Sequence, residues 1–101
     1  MQKTDLSYFI GVLRQGIVEK RKVNVNDVKL IVEKLGLLSL SDDAVGLIRN
    51  EISEFILNKI RYFERKGNKL KIEEYQKIHK RTESVFEFFL THKSELYPKS
   101  Q

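Results

Sequence analysis

The amino-acid sequence predicts an all-α fold organised around one long helix, and three observations carry the prediction. Residues 41 to 67, SDDAVGLIRNEISEFILNKIRYFERKG, read as a single helix of about seven turns. The stretches on either side repeat their apolar residues at steps of three and four, and no stretch alternates for long enough to make a strand of its own. The lone proline, Pro98, stands almost at the end and interrupts nothing before it.

Residues 4 to 19 are predicted as a first helix, capped by Thr4 or Asp5, with Leu6, Phe9, Ile10, Leu13 and Ile17 along one side. Gly11 and Gly16 weaken it by about 1 kcal/mol each relative to alanine, so it needs docking to persist. Lys20, Arg21 and Lys22 then form a basic connector. A second helix is expected from about Asn26 to Leu35, with Asp27 in its first turn, Val28, Ile31, Val32 and Leu35 on one face, and Gly36 as its stop. The following LLSLS is extended in character but short.

The long helix has marked ends. Ser41 is a good N-cap, Asp42 and Asp43 put negative charge where the helix dipole favours it, and Leu40 and Val45 have the spacing of a hydrophobic staple. Arg61, Arg65 and Lys66 suit the carbonyl end, and Gly67 with Asn68 can stop the helix. Val45, Ile48, Ile52, Phe55, Ile56 and Phe63 form one apolar stripe, and Leu47, Leu57, Ile60 and Tyr62 form a second beside it. Two stripes demand cover from two sides. After a short loop, NKLK, a last helix is expected from Ile72 to Tyr97. It carries Glu73 and Glu74 in its first turn and Ile72, Tyr75, Ile78, Thr82, Val85, Phe86 and Phe89 at helical spacing; Phe88 points elsewhere and calls for cover from the first helix.

The composition fits one domain spanning residues 1 to 101, with residues 1 to 22 as helix and connector and 23 to 97 as core. Apolar residues make up 41%, which allows a modest core, and no apolar run approaches the length of a membrane span. No signal-peptide pattern is visible and cysteine is absent, so an intracellular location is expected, cytoplasm or nucleoid, or nucleus in a eukaryote. Lys and Arg outnumber Asp and Glu by 19 to 14, giving a net charge of +5 that favours polyanionic partners without identifying one.

Leu40, Ser41, Asp42, Asp43, Ala44 and Val45, and again Gly67, Lys69, Leu70, Lys71, Ile72, Glu73, Glu74 and Tyr75, match the order of residue types at the two loops of the histone fold. Over about residues 25 to 82 the chain resembles that family in its archaeal, minimal form, and the extended last helix resembles centromere-type members such as centromere protein S. The resemblance implies a histone fold with an extra N-terminal helix. It also implies head-to-tail pairing, with an identical chain or another histone-fold chain, through Leu47, Ile48, Ile52, Phe55, Ile56 and Ile60. It further implies binding of double-stranded DNA through the phosphate backbone, with Arg65, Lys66, Lys69 and Lys71 near the second loop and Lys20, Arg21, Lys22 and Lys29 before and on the first core helix. The first loop, LLSLS, departs from the family in having no basic residue.

The alternative reading of these cations is a solvated surface complementing helix ends, and of the whole chain a protein-interaction subunit of a larger assembly. A helix-turn-helix over residues 26 to 60 fits poorly, because the segment between its helices is too long. His79 and His92 read as surface residues and suggest neither a metal site nor a base, and the paired carboxylates are explained by helix starts. There is no phosphate loop, Walker signature or nucleophile elbow, so no enzyme, no cofactor and no small-molecule substrate are expected. Phe9, Phe55, Phe63, Phe86 and Phe89 fall on apolar faces and read as core, not as an exposed platform for stacking single-stranded bases.

Overall fold

A computed structural model describes residues 3 to 98, with side chains from Leu6 onward. Four α-helices follow one another: α1 (Lys3–Val18), α2 (Val25–Leu35), α3 (Asp42–Lys66) and α4 (Lys69–Leu96), with a 3-10 turn, Leu37–Ser39, between α2 and α3. The described residues are all-helical and contain no strand.

Local chemistry explains most boundaries. Asn24 accepts a hydrogen bond from the Asp27 amide at 2.9 Å and caps α2, which Gly36 ends at φ +65°. Ser41 accepts from the Ala44 amide at 3.2 Å, the N-cap expected of it. Gly67, at φ +69°, closes α3, and the Asn68 amide donates to the Phe63 carbonyl at 3.0 Å, satisfying an orphan acceptor of the last turn. For α1, which begins at Lys3, both candidate caps lie inside the helix and their side chains fall outside the described ones.

Two local expectations are corrected. The segment NKLK is not a loop: Asn68 Oδ1 accepts from the Lys71 amide at 3.2 Å and caps α4, which starts at Lys69. One cap residue thus moves the helix start three positions earlier and leaves a two-residue turn between the two longest helices. LLSLS is not extended over its length either. Ser39 folds back to donate from its hydroxyl to the Gly36 carbonyl at 2.9 Å, burying Leu37 fully, and only Leu40 and Ser41 have extended backbone.

That tight turn sends α4 back along α3. Phe63 stacks on Tyr75 with ring centroids 5.7 Å apart, Ser53 donates to Glu83 at 3.2 Å, and Lys93 Nζ lies 3.5 Å from Asp42, so the pairing runs antiparallel along the whole length. On its other sides α4 carries α1 and α2. Phe9 meets Phe86 at 6.3 Å, and the Arg14 guanidinium reaches both Glu74 and the Tyr75 hydroxyl. The spine is therefore α4 rather than α3. Its Tyr75, Ile78, Val85, Phe86 and Phe89 are buried, and buried Thr82 donates to the Ile78 carbonyl at 2.8 Å, leaving no orphan hydroxyl. A break at His92, φ −112°, bends α4 before it ends ahead of Tyr97 and Pro98, where the residue preceding a proline is disfavoured in a helix.

Ile52, Ile56 and Ile60 are closed off within the chain, Ile48 and Phe55 are half-buried, and Leu47 stands 70% exposed. The molecule measures 54 × 27 × 22 Å, and the α3–α4 turn, mostly exposed from Arg61 to Lys71, forms its bare end. No described helix is long and apolar enough to cross a membrane.

One polar cluster ties the hairpin together. Arg49 donates to Glu83, with Glu87 3.7 Å away. The hydrogen bond from Arg49, against the opposing effect of burial, holds the Glu83 carboxyl below the ordinary range, and Ser53 adds to it. Because the folded value lies below the unfolded one, this stabilisation is complete above the ordinary carboxylate range and is lost as pH falls through the folded value. Urea unfolding at neutral pH and at about pH 3 is expected to show Glu83→Gln losing less stability on acidification than the parent chain. Equal losses would remove this cluster from the acid response.

Candidate functional site

The end of α1 and the middle of α4 enclose a cleft of about 610 Å³. Its cations are Lys20, Arg21 and Lys22 from the connector and Lys77, Lys80 and Arg81 from α4. Six of its eleven lining residues are basic, against nineteen of 101 in the chain, and none is acidic. Like charge is therefore concentrated here and not diluted over the surface.

Each half is positioned by the fold. Lys77, Lys80 and Arg81 stand three and four residues apart, so they share one side of α4. Arg81 is steered by a short contact, its Nη1 donating to the Arg21 carbonyl at 2.6 Å, which joins the connector to α4 and satisfies a carbonyl just beyond the end of α1. Its Nε is buried and has no hydrogen-bond partner among the described residues. Gly16 makes room for this guanidinium, since a Cβ there would run into it. Gly16→Ala is expected to cost about 1 kcal/mol in urea unfolding despite alanine's better helix propensity, because a charged hydrogen bond worth more is displaced. A stabilised variant would show that the Arg81 contact contributes little.

The connector turns sharply. Lys20 adopts a left-handed conformation, φ +55°, where a glycine would be at ease, and its amide donates to the Ile17 carbonyl at 3.0 Å. Arg21 is committed: it pairs with Glu19 at 2.7 Å and with buried Asp27 at 3.0 Å. Asp27, in the first turn of α2, thus anchors the connector as well. Lys20, Lys22, Lys77 and Lys80 are exposed and have no ion pair among the described residues.

The cations picked out from the sequence do not form one site. Lys20, Arg21 and Lys22 line the cleft, whereas Arg65, Lys66, Lys69 and Lys71 surround the α3–α4 turn. Lys71 is paired with Glu74 at 3.0 Å. Burial pushes the Glu74 carboxyl up, but hydrogen bonds from Lys71 and Arg14 outweigh it and leave the group below its ordinary value. Lys69 is exposed and lies eleven residues before Lys80. That spacing is three turns, or about 16 Å, along the same side of α4. Lys29 sits at the opposite end, its ammonium 5.8 Å from the Tyr97 ring.

Lys77, Lys80 and Arg81 escaped the sequence reading. Their i, i+3, i+4 spacing was the available signal, but a solvated helix face has the same pattern. His92 keeps a partly exposed side chain, its ring 4.5 Å from Phe88 and its Nδ1 3.3 Å from Glu95. His79 is half-buried. Phe88, for which cover from α1 was expected, lines the same cleft as Gly16 and Ile17 of that helix. Comparison with protein-family models, with curated proteins and with solved structures finds no match to this chain.

Proposed function

We propose that this protein binds double-stranded DNA through the phosphate backbone, without strong sequence specificity, along a track from the connector cleft down α4 to the α3–α4 turn. The observation that carries the reading is the cleft: four lysines, none in an ion pair among the described residues, gathered from two distant parts of the chain with no carboxylate in the lining. Lysine ammoniums are mobile point charges that suit phosphates of varied geometry, and both arginines of the lining are already engaged, Arg21 by Glu19 and Asp27 and Arg81 by the Arg21 carbonyl. Lys69, in line with Lys80 at a distance of about 16 Å, extends the track, and Arg65 and Lys66 continue it.

An anisotropy titration on random duplex DNA at several salt concentrations tests this. With about six phosphates neutralised, the logarithm of the association constant is expected to fall with the logarithm of salt at a slope near −5. No binding at low salt would refute the proposal.

A histone fold would pair two copies of the chain across α3. The observation favouring a second copy is the outer side of α3, where exposed Leu47, half-buried Phe55 and exposed Tyr62 follow one another at helical spacing. Since Ile52, Ile56 and Ile60 are already covered by the chain itself, Leu47, Ile48 and Phe55 are the residues left to a crossing partner. Sedimentation equilibrium is expected to give a dimer that Leu47→Lys dissociates, and a monomer at tens of micromolar would end this part of the reading. In the rival reading, an assembly subunit that does not touch DNA, the same surface takes a different chain; the DNA titration separates the two.

A further inference from the structure

Resting on the backbone-binding reading, we infer that the cleft between the connector and α4 is a pocket for one unpaired nucleotide, so that the protein prefers duplexes with a single-stranded overhang. A regular backbone needs cations alone. This cleft has more: beside its exposed lysines it is lined by half-buried Ile17, Val23 and Phe88. An apolar, aromatic lining beside cations complements a planar, apolar body carrying a phosphate, which is the chemistry of a nucleotide.

The aromatic group is held in place. His92 packs against Phe88 with centroids 4.5 Å apart and the planes inclined by 44°, restricting the ring on a helix already pinned by its neighbours. The phosphate side is equally prepared. Lys22 and Lys20 approach from the connector and Lys77 and Lys80 from α4, so a phosphate entering between them meets charge from both walls. A base that stays paired in a duplex cannot reach that lining, whereas an unpaired one can leave its neighbours and stack there at small cost. An acidic amphipathic peptide would also satisfy the charge, but it has no need of a single restrained ring.

The test compares a blunt duplex with the same duplex bearing a short overhang, by anisotropy at one fixed salt concentration. The overhang is expected to bind about tenfold more tightly, and Phe88→Leu is expected to erase that preference, read as the ratio of overhang to blunt affinity measured within the same variant. Competition adds an arm that needs no variant: a nucleoside monophosphate should displace the overhang substrate at concentrations where inorganic phosphate does not. Equal affinity for blunt and overhanging duplexes would overturn the inference and leave the backbone reading intact. Failure to bind either DNA would overturn both. Displacement by inorganic phosphate at the same concentration as by the nucleotide would reduce the cleft to a cation cluster and overturn the pocket.

Discussion

Reversing Lys77 and Lys80 together to glutamate is expected to weaken duplex binding by about a hundredfold near 0.1 M salt and to shallow the salt dependence by about two units. Each lysine that meets a phosphate releases close to one condensed counterion, which near 0.1 M salt amounts to roughly an order of magnitude in affinity. Both residues are exposed, and neither is in an ion pair among the described residues. Their reversal should therefore move stability by no more than about 0.5 kcal/mol. The effect reads out as binding and not as unfolding. Lys29→Glu is the matched control. It changes charge by the same amount per residue at the far end of the molecule, beside Tyr97, and should leave the affinity within a few-fold of the parent. If both variants weaken binding equally, the protein attracts DNA by its net charge of +5 and the cleft has no special part.

Truncating Phe86 to alanine is expected to cost about 3–5 kcal/mol. Phe86 is fully buried at the face of α4 that receives Phe9 of α1, so its removal opens a cavity where two helices meet. A domain of this size has about 5–15 kcal/mol in total, and a chemical or thermal melt should show a fall in the midpoint of about 15 °C or more. Phe86→Leu keeps most of the volume and should cost much less. The contrast matters because α1 also supplies one wall of the cleft. Loosening α1 is expected to weaken DNA binding even though Phe86 does not line the cleft. A Phe86→Ala protein that melts like the parent would mean that α1 is not docked where the structure places it.

Much of the helical framework was legible from local signals. Ser41, Gly36 and Gly67 mark ends by chemistry that involves only a few neighbouring residues, and the 3.6-residue period identified buried Phe9, Leu13, Ile31, Ile52 and Phe89 correctly. Where one residue had two possible local roles, the reading failed. Asn68 can end one helix or begin the next, and the periodicity around it does not say which; its bond to the Lys71 amide makes it the start of α4. The prominence given to α3 failed for a related reason. Apolar residues on several sides of a helix show that it needs several neighbours, but α3 and α4 both have that property, and only their packing shows that α4 touches all three others.

For the site, composition and spacing determined that the chain is basic and that its cations come in short clusters, because charge and helical register are properties of neighbouring residues. The tertiary structure alone decided which clusters meet. Lys20 and Lys22 are separated from Lys77 and Lys80 by more than fifty positions, and what brings them together is α1 lying along α4, with Gly16 admitting the Arg81 guanidinium to the Arg21 carbonyl. The same packing carried Lys29 away from its supposed companions and closed Ile52, Ile56 and Ile60 inside one chain. Long-range burial of apolar surface sets those distances, and a local pattern of residue types carries no measure of them.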